Sequence, residues 1–264
     1  MSRFLDRPFV SIVCATYNRA HVLPRAVQSV LAQSFSNWEL LVVDDGSTDH
    51  TPSVMTHCRN DPRIQYFRLE TNCGVGVARN RGIQQAHAPW ITVLDSDNAL
   101  SPDALKGMVA ATEERPQIEF HQFCVQSFTG KMMGRVPGAA TVISGRDYIC
   151  NRFPGEYVCL VKTALLRSTP FIEEFNGGEG IVWSRIALTC KAIAYYPMIA
   201  VLYDTEGADR LSVRTKNYHR LERVFRTDIS SLWRVYLWNC PMQLAVRMIK
   251  WVVYATLARC EAVQ

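Results

Sequence analysis

Asp95-Ser96-Asp97 directly follows a short apolar run, Trp90 to Leu94 (WITVL), and two carboxylates at the end of a buried strand are the residues best placed to do chemistry. Side chains at i and i+2 of a strand share a face, so the pair would converge in an apolar setting. Their repulsion then calls for a cation. Oxygen-only ligands with vacant positions suit magnesium or manganese, shared with the phosphate oxygens of a bound substrate. The plainer alternative is a polar loop after a strand, where Asp is common for turn chemistry alone.

Asp44-Asp45-Gly46-Ser47-Thr48-Asp49 is a second acidic break, following Trp38 to Val43 (WELLVV). Glycine supplies backbone freedom there, and Ser or Thr can cap a following helix. Asp is also a good acceptor for the imide N–H of a uracil or for ribose hydroxyls; capping explains the segment as well as binding does. Gly74-Val75-Gly76 could pass for a dinucleotide fingerprint, but the third glycine of G-x-G-x-x-G would fall at position 79, which is Arg. A Rossmann NAD site is therefore disfavoured. Arg79 would instead be a phosphate or carboxylate partner, or an ordinary surface arginine.

Short buried strands must position these breaks. Phe9 to Ala15 (FVSIVCA) reads as one, ending at Tyr17-Asn18, and Ile64 to Arg68 as another. Helical spacing runs from about Leu23 to Ala32, from Thr51 to about Cys58, and from Val75 to Ala86. Strand and helix alternate, which argues for a parallel, doubly wound sheet with ligands outside the carboxyl ends of its strands. The segments Gln117 to Phe128 and Thr141 to Val161 carry a less decided pattern. Asn176-Gly177-Gly178 marks a loop, Ile181 to Ala194 reads as a helix, and Pro241 divides the tail into two helical stretches.

Four motifs in order, V-S-I-V-C-A-T-Y-N-R, L-L-V-V-D-D-G-S-T-D, G-V-G-V-A-R-N-R-G-I and I-T-V-L-D-S-D-N, span Val10 to about Ala104. On these the chain closely resembles the family 2 glycosyltransferases. The resemblance implies the GT-A fold: α/β, a Rossmann-like, doubly wound, mainly parallel sheet with helices on both faces, here with a C-terminal helical tail. It implies a catalytic domain over 1–213, with a nucleotide-sugar-binding half at about 1–115 and an acceptor-binding half at about 116–213, and a basic amphipathic tail over 214–264. The implied activity is inverting transfer of a sugar from a nucleoside-diphosphate donor, a UDP-sugar favoured, to a saccharide or lipid-linked acceptor in surface polysaccharide or glycolipid synthesis. A non-catalytic nucleotide-sugar-binding or scaffold protein of the same fold is the alternative.

By the same resemblance Ala15, Thr16, Tyr17 and Asn18 contact the nucleoside, with Tyr17 able to stack on the base. Asp45, more than Asp44, accepts from the base; Asp95, beside Ser96, meets the ribose or sugar. Asp97 matches the carboxylate that binds the Mn2+ or Mg2+ bridging the diphosphate, and a cation such as Arg79 stabilises the leaving group. The family's base is a carboxylate, often within Gly-Glu-Asp at a helix start. Here the stretch reads Gly178-Glu179-Gly180. Glu179 matches, Gly180 replaces the Asp, and Glu179 is the candidate base, with capping or a salt bridge as its structural alternative. Asp204, Glu206, Asp209 and Arg210 form a polar segment in a region where some family members close over the diphosphate; Arg210 is a candidate there.

The remaining features concern location. From Arg214 onward nine Lys or Arg face three Asp or Glu, a net of +6 out of +5 for the whole chain, so the body is close to neutral at −1. After Pro241, Gln243, Arg247, Lys250 and Tyr254 follow helical spacing, with Leu244, Met248, Trp251, Val252 and Ala255 opposite. Such a helix, with Trp233, Arg234, Tyr236 and Trp238 before it, suits peripheral membrane contact through 228–264, or packing on the catalytic domain or a partner subunit in an oligomer. No nucleic acid is expected, since the aromatic residues follow helical apolar spacing rather than that of a stacking platform. Hydrophobic residues at 48% and charged residues at 20% exclude disordered and fibrous classes. Met1 to Asp6 is too short and polar for a secretory signal, and nine cysteines without a C-x-x-C pair read as reduced thiols, Cys14 and Cys190 buried. Both point to the cytoplasm, with peripheral attachment to the inner face of the membrane as an extension.

Overall fold

The computed structural model describes residues 7–58, 60–174, 176–206 and 217–261; Asp209 and Arg210, and the 213/214 boundary, lie outside the described residues. The first half alternates strand and helix: β1 (Val10–Thr16), α1 (Leu23–Leu31), β2 (Trp38–Asp44), α2 (Thr51–Cys58), β3 (Ile64–Arg68), α3 (Val75–Gln85) and β4 (Trp90–Val93). β1 pairs in parallel with both β2 and β4, and β2 with β3, so these carboxyl ends open on one side. Continuous apolar runs suit strands covered on both faces. Val10, Ile12 and Cys14 of β1 pack on one face with Leu23, Val27 and Val30 of α1, while Val13 packs on the other with Ile83 of α3.

The second half comprises β5 (Ala99–Leu100), α4 (Ala104–Glu114), β6 (Phe120–Ser127), β7 (Thr141–Ile143), α5 (Gly145–Ile149), β8 (Tyr157–Lys162), α6 (Thr163–Ser168), α7 (Glu179–Thr189) and β9 (Ile193–Tyr203). It extends the same sheet, in the order β3-β2-β1-β4-β8-β6-β9-β5 with β7 along β9. β8 runs antiparallel to both β4 and β6, so the parallel half passes into a mixed one. The helix expected over Ile181 to Ala194 ends at Thr189, and Ile193 and Ala194 open β9 instead. Periodicity alone cannot allot a short apolar run to helix or strand. The run Ile193 to Tyr196 pairs with β6 and β7, and that pairing decides it.

The tail folds as two long helices, α8 (Tyr218–Asn239) and α9 (Pro241–Glu261), packed on each other. Asn217 caps α8 by accepting from the Arg220 N–H at 2.8 Å. A small cluster of Ile149, Leu232 and Tyr236 fixes the hairpin to α5. The faces of α9 divide differently from the expected polar and apolar sides. Gln243, Arg247 and Tyr254 turn inward with Leu244 and Trp251, while Met242, Val246, Ile249 and Val253 are exposed.

Candidate active site

The carboxyl ends of β1, β2 and β4, the start of α7 and the start of α8 surround one cavity of about 830 Å³. Ala15, Thr16, Tyr17, Asn18, Asp45, Arg79, Asp95, Ser96, Asp97 and Glu179 all line it; Asp44 does not. Asn18 adopts a left-handed backbone, φ 54°, and its side-chain oxygen accepts from the Thr48 N–H at 2.8 Å. Its own N–H donates to Ser47 Oγ at 2.8 Å, so the loops after β1 and β2 are tied into one rim.

Asp44, expected beside Asp45 at the donor, is fully buried and does not line the cavity. Its Oδ1 accepts from the Ser47 N–H at 2.8 Å and its Oδ2 from the Tyr66 hydroxyl at 2.5 Å. Asp45 faces the cavity, with its oxygens accepting from the N–H groups of Cys73 at 2.7 Å and Gly74 at 2.8 Å. Burial raises its pKa above the ordinary carboxylate range, partly offset by those two N–H groups. Gly74 permits the approach because it stands at φ 101°, a region side chains disfavour. Gly76 serves packing: a Cβ there would lie 2.3 Å from the Ile172 carbonyl oxygen. The glycines that mimic a dinucleotide fingerprint therefore set the entry and seat of α3.

β4 ends at Val93, and Asp95 to Asn98 forms a turn closed by Asn98 N–H donating to the Asp95 carbonyl at 3.0 Å. The strand-alternation argument for Asp95 and Asp97 therefore fails, and the turn brings them together instead. Burial first, and the Asp95 charge second, raise the Asp97 pKa. Arg25 of α1 holds this turn by donating to the Asp97 carbonyl and by pairing with Asp204 at 2.7 Å. Sequence reasoning missed Arg25, which carries no local motif.

Arg79, almost wholly buried, bridges the two sides of the cavity. Its guanidinium donates to Asp95 Oδ1 at 2.7 Å and to Glu179 Oε1 at 2.8 Å. Burial opposes its charge, yet the two carboxylates outweigh that and raise its pKa. Glu179 opens α7 after Gly178, which takes a left-handed φ of 81°. At a helix N-terminus a negative charge is favoured by the backbone dipoles. Asn80, next to Arg79 and unassigned by sequence, brackets Phe171 with both side-chain groups, at 2.8 and 2.9 Å. Among the described residues no cluster of three or more His, Cys, Asp or Glu could hold a metal ion by itself. The donor set still fits a hard divalent ion of the kind held by one or two carboxylates plus substrate phosphates. Cys14 and Cys190 are buried as expected, and all nine cysteines are free thiols.

Residues 11–167 match the family model described as Glycosyl transferase family 2. The chain is 31% identical over 182 residues to the GalNAc(5)-diNAcBac-PP-undecaprenol beta-1,3-glucosyltransferase of Campylobacter jejuni, covering 67% of this chain and 59% of that one. Among solved structures it resembles S. aureus TarS 1-349 in complex with UDP-GlcNAc, with a TM-score of 0.73 at 22% identity over 85% of this chain and 66% of that one. The mannosyltransferase PcManGT of Pyrobaculum calidifontis, in complex with GDP-Man and Mn2+, matches with a TM-score of 0.62 at 18% identity over 97% of this chain and 80% of that one. These two structures share the fold, a GT-A architecture.

Proposed function

The chain belongs to glycosyl transferase family 2, and from that premise we propose that it transfers a sugar from a nucleoside-diphosphate donor, preferably UDP-linked, to an acceptor hydroxyl. The observation that carries this reading is the convergence of Asp45, Asp95, Asp97, Arg79 and Glu179 on one cavity at the ends of parallel strands. Tyr17 stacks on the base, Asp45 accepts from it, and Asp95 orients the ribose or sugar. Glu179 takes the proton of the acceptor hydroxyl as its oxygen bonds to the anomeric carbon with inversion. The bond from that carbon to the diphosphate breaks, its electron pair leaves with the phosphate oxygen, and Arg79 answers the added charge. Asp97 would hold Mn2+ or Mg2+, which would supply positive charge to the leaving diphosphate.

Residues from about 1–115 serve as the donor half, about 116–213 as the acceptor half and 214–264 as an attachment. The Campylobacter relative's name specifies an undecaprenol-linked saccharide, which supports a lipid-linked acceptor. Trp238, 83% exposed, and Met242, 77% exposed, flank the hairpin bend, and this supports peripheral attachment to the inner membrane face. No helix among the described residues is long and apolar enough to cross a membrane. Vesicle flotation tests the attachment: Trp238→Ala should weaken binding to anionic vesicles, and unchanged binding would refute this route.

Nucleoside-diphosphate release from a panel of nucleotide sugars, with saccharide and lipid-linked acceptors and manganese, tests the activity. Release that requires both donor and acceptor supports transfer. A second reading, donor binding without turnover, is favoured by the Gly180 replacement and by Glu179 being paired with Arg79. Tight donor binding with no release under any acceptor would select it.

A further inference from the structure

We propose that a second cavity, of about 320 Å³, is a carbohydrate subsite for the sugar unit preceding the acceptor's reacting residue. The acceptor would then be an oligosaccharide of at least two units; this rests on the sugar-transfer reading above.

The cavity shares Tyr157, Gly178, Glu179 and Val224 with the first, so it continues from the candidate base on the side away from the donor loops. One wall is aromatic. Phe153 stacks on Tyr195 with ring centroids 4.6 Å apart, and Tyr157 meets Tyr195 edge-on at 5.1 Å. The hairpin adds to the lining: Asp228 pairs with Arg247 at 2.6 Å and accepts from the Tyr236 hydroxyl at 2.9 Å. Aromatic side chains and a fixed donor–acceptor pair lining one cavity match a pyranose, which has an apolar C–H face and a hydroxylated edge. The charges decide against a phosphate. The charged lining residues are Glu179, Asp228 and Arg247, one cation against two anions. An anion would need an uncompensated cation, and a neutral polyol does not.

Gly180 and Ser184, one turn apart on α7, keep the floor low, and no atom lies within 4 Å of a Cβ built at Gly180. Gly180, where the family frequently carries Asp, thus leaves open space beside Glu179 at the second cavity.

The test is saturation-transfer NMR on the full chain with UDP and manganese, using methyl monosaccharides and their matching disaccharides as probes. At least one disaccharide should bind at least fivefold more tightly than its monosaccharide. That advantage should vanish in Phe153→Ala and in Ser184→Met, while both variants remain folded and keep the native UDP affinity. Two variants on opposite elements guard against one misfolding. No disaccharide preference across the panel, or a preference that both variants keep, overturns the proposal. Failure of the native chain to bind any nucleotide sugar would instead overturn the parent reading.

Discussion

Strands β2 and β4 flank β1 in the same parallel sheet, and each delivers two aspartates to its carboxyl end, yet the two pairs differ in what satisfies them. The protein itself satisfies the first pair: Asp44 is bound by Ser47 and Tyr66, and Asp45 by two backbone N–H groups. The second pair is held in mutual repulsion, with Asp95 leaning on Arg79 and Asp97 raised by burial and by Asp95. One residue type at neighbouring strand ends thus divides into carboxylates that the fold has already answered and carboxylates that it has not.

The largest effect should follow from Asp97→Asn, which removes roughly a thousandfold in turnover, about 4 kcal/mol of transition-state stabilisation, read as kcat with the best donor. Its stability should move the other way. Because the folded-state pKa of Asp97 is raised, its charged form is disfavoured by folding, and that penalty grows as pH rises from the unfolded value through the raised one. Asn removes the penalty, so metal-free melting should hold or rise; a clear fall would mean that Asp97 is scaffold like Asp44. Glu179→Gln should lower kcat by about a hundredfold or more with donor affinity nearly intact, measured in single-turnover assays.

Asp45→Ala should weaken donor binding by about tenfold to a hundredfold, the worth of a hydrogen bond to a charged group. Asp44→Ala should show the reverse profile, costing about 1–3 kcal/mol in denaturant unfolding because it removes the buried acceptor of the Ser47 N–H and of the Tyr66 hydroxyl. Donor affinity measured where the variant remains folded should change by only about threefold. If Asp44→Ala lost donor binding without losing stability, the contrast between the pairs would collapse.

The donor half was largely legible because its information is local: buried runs with turn residues at their ends mark strand ends, and four motifs in order name the loops. Asp44 and Asp45 are adjacent and both buried, and only the fold shows that Asp45 and not Asp44 lines the cavity. Strand alternation was carried past Leu94 to Asp95 and Asp97, where the chain turns instead. Arg25 pairs with Asp204 across 179 residues and Glu179 with Arg79 across 100, separations at which no spacing rule operates. The hairpin's share in the cavity, through Arg220, Leu221 and Val224, was hidden for the same reason. Amphipathic spacing shows that a helix has a buried side, and not what it is buried against.

Calorimetric titration with UDP, in manganese and then in EDTA, on the native chain and on Asp97→Asn tests the central claim most directly. The account expects native binding to be strong with manganese and at least tenfold weaker in EDTA, and the variant to bind weakly in both. Equal native affinity in manganese and EDTA, or a variant that keeps the manganese-dependent gain, would contradict it.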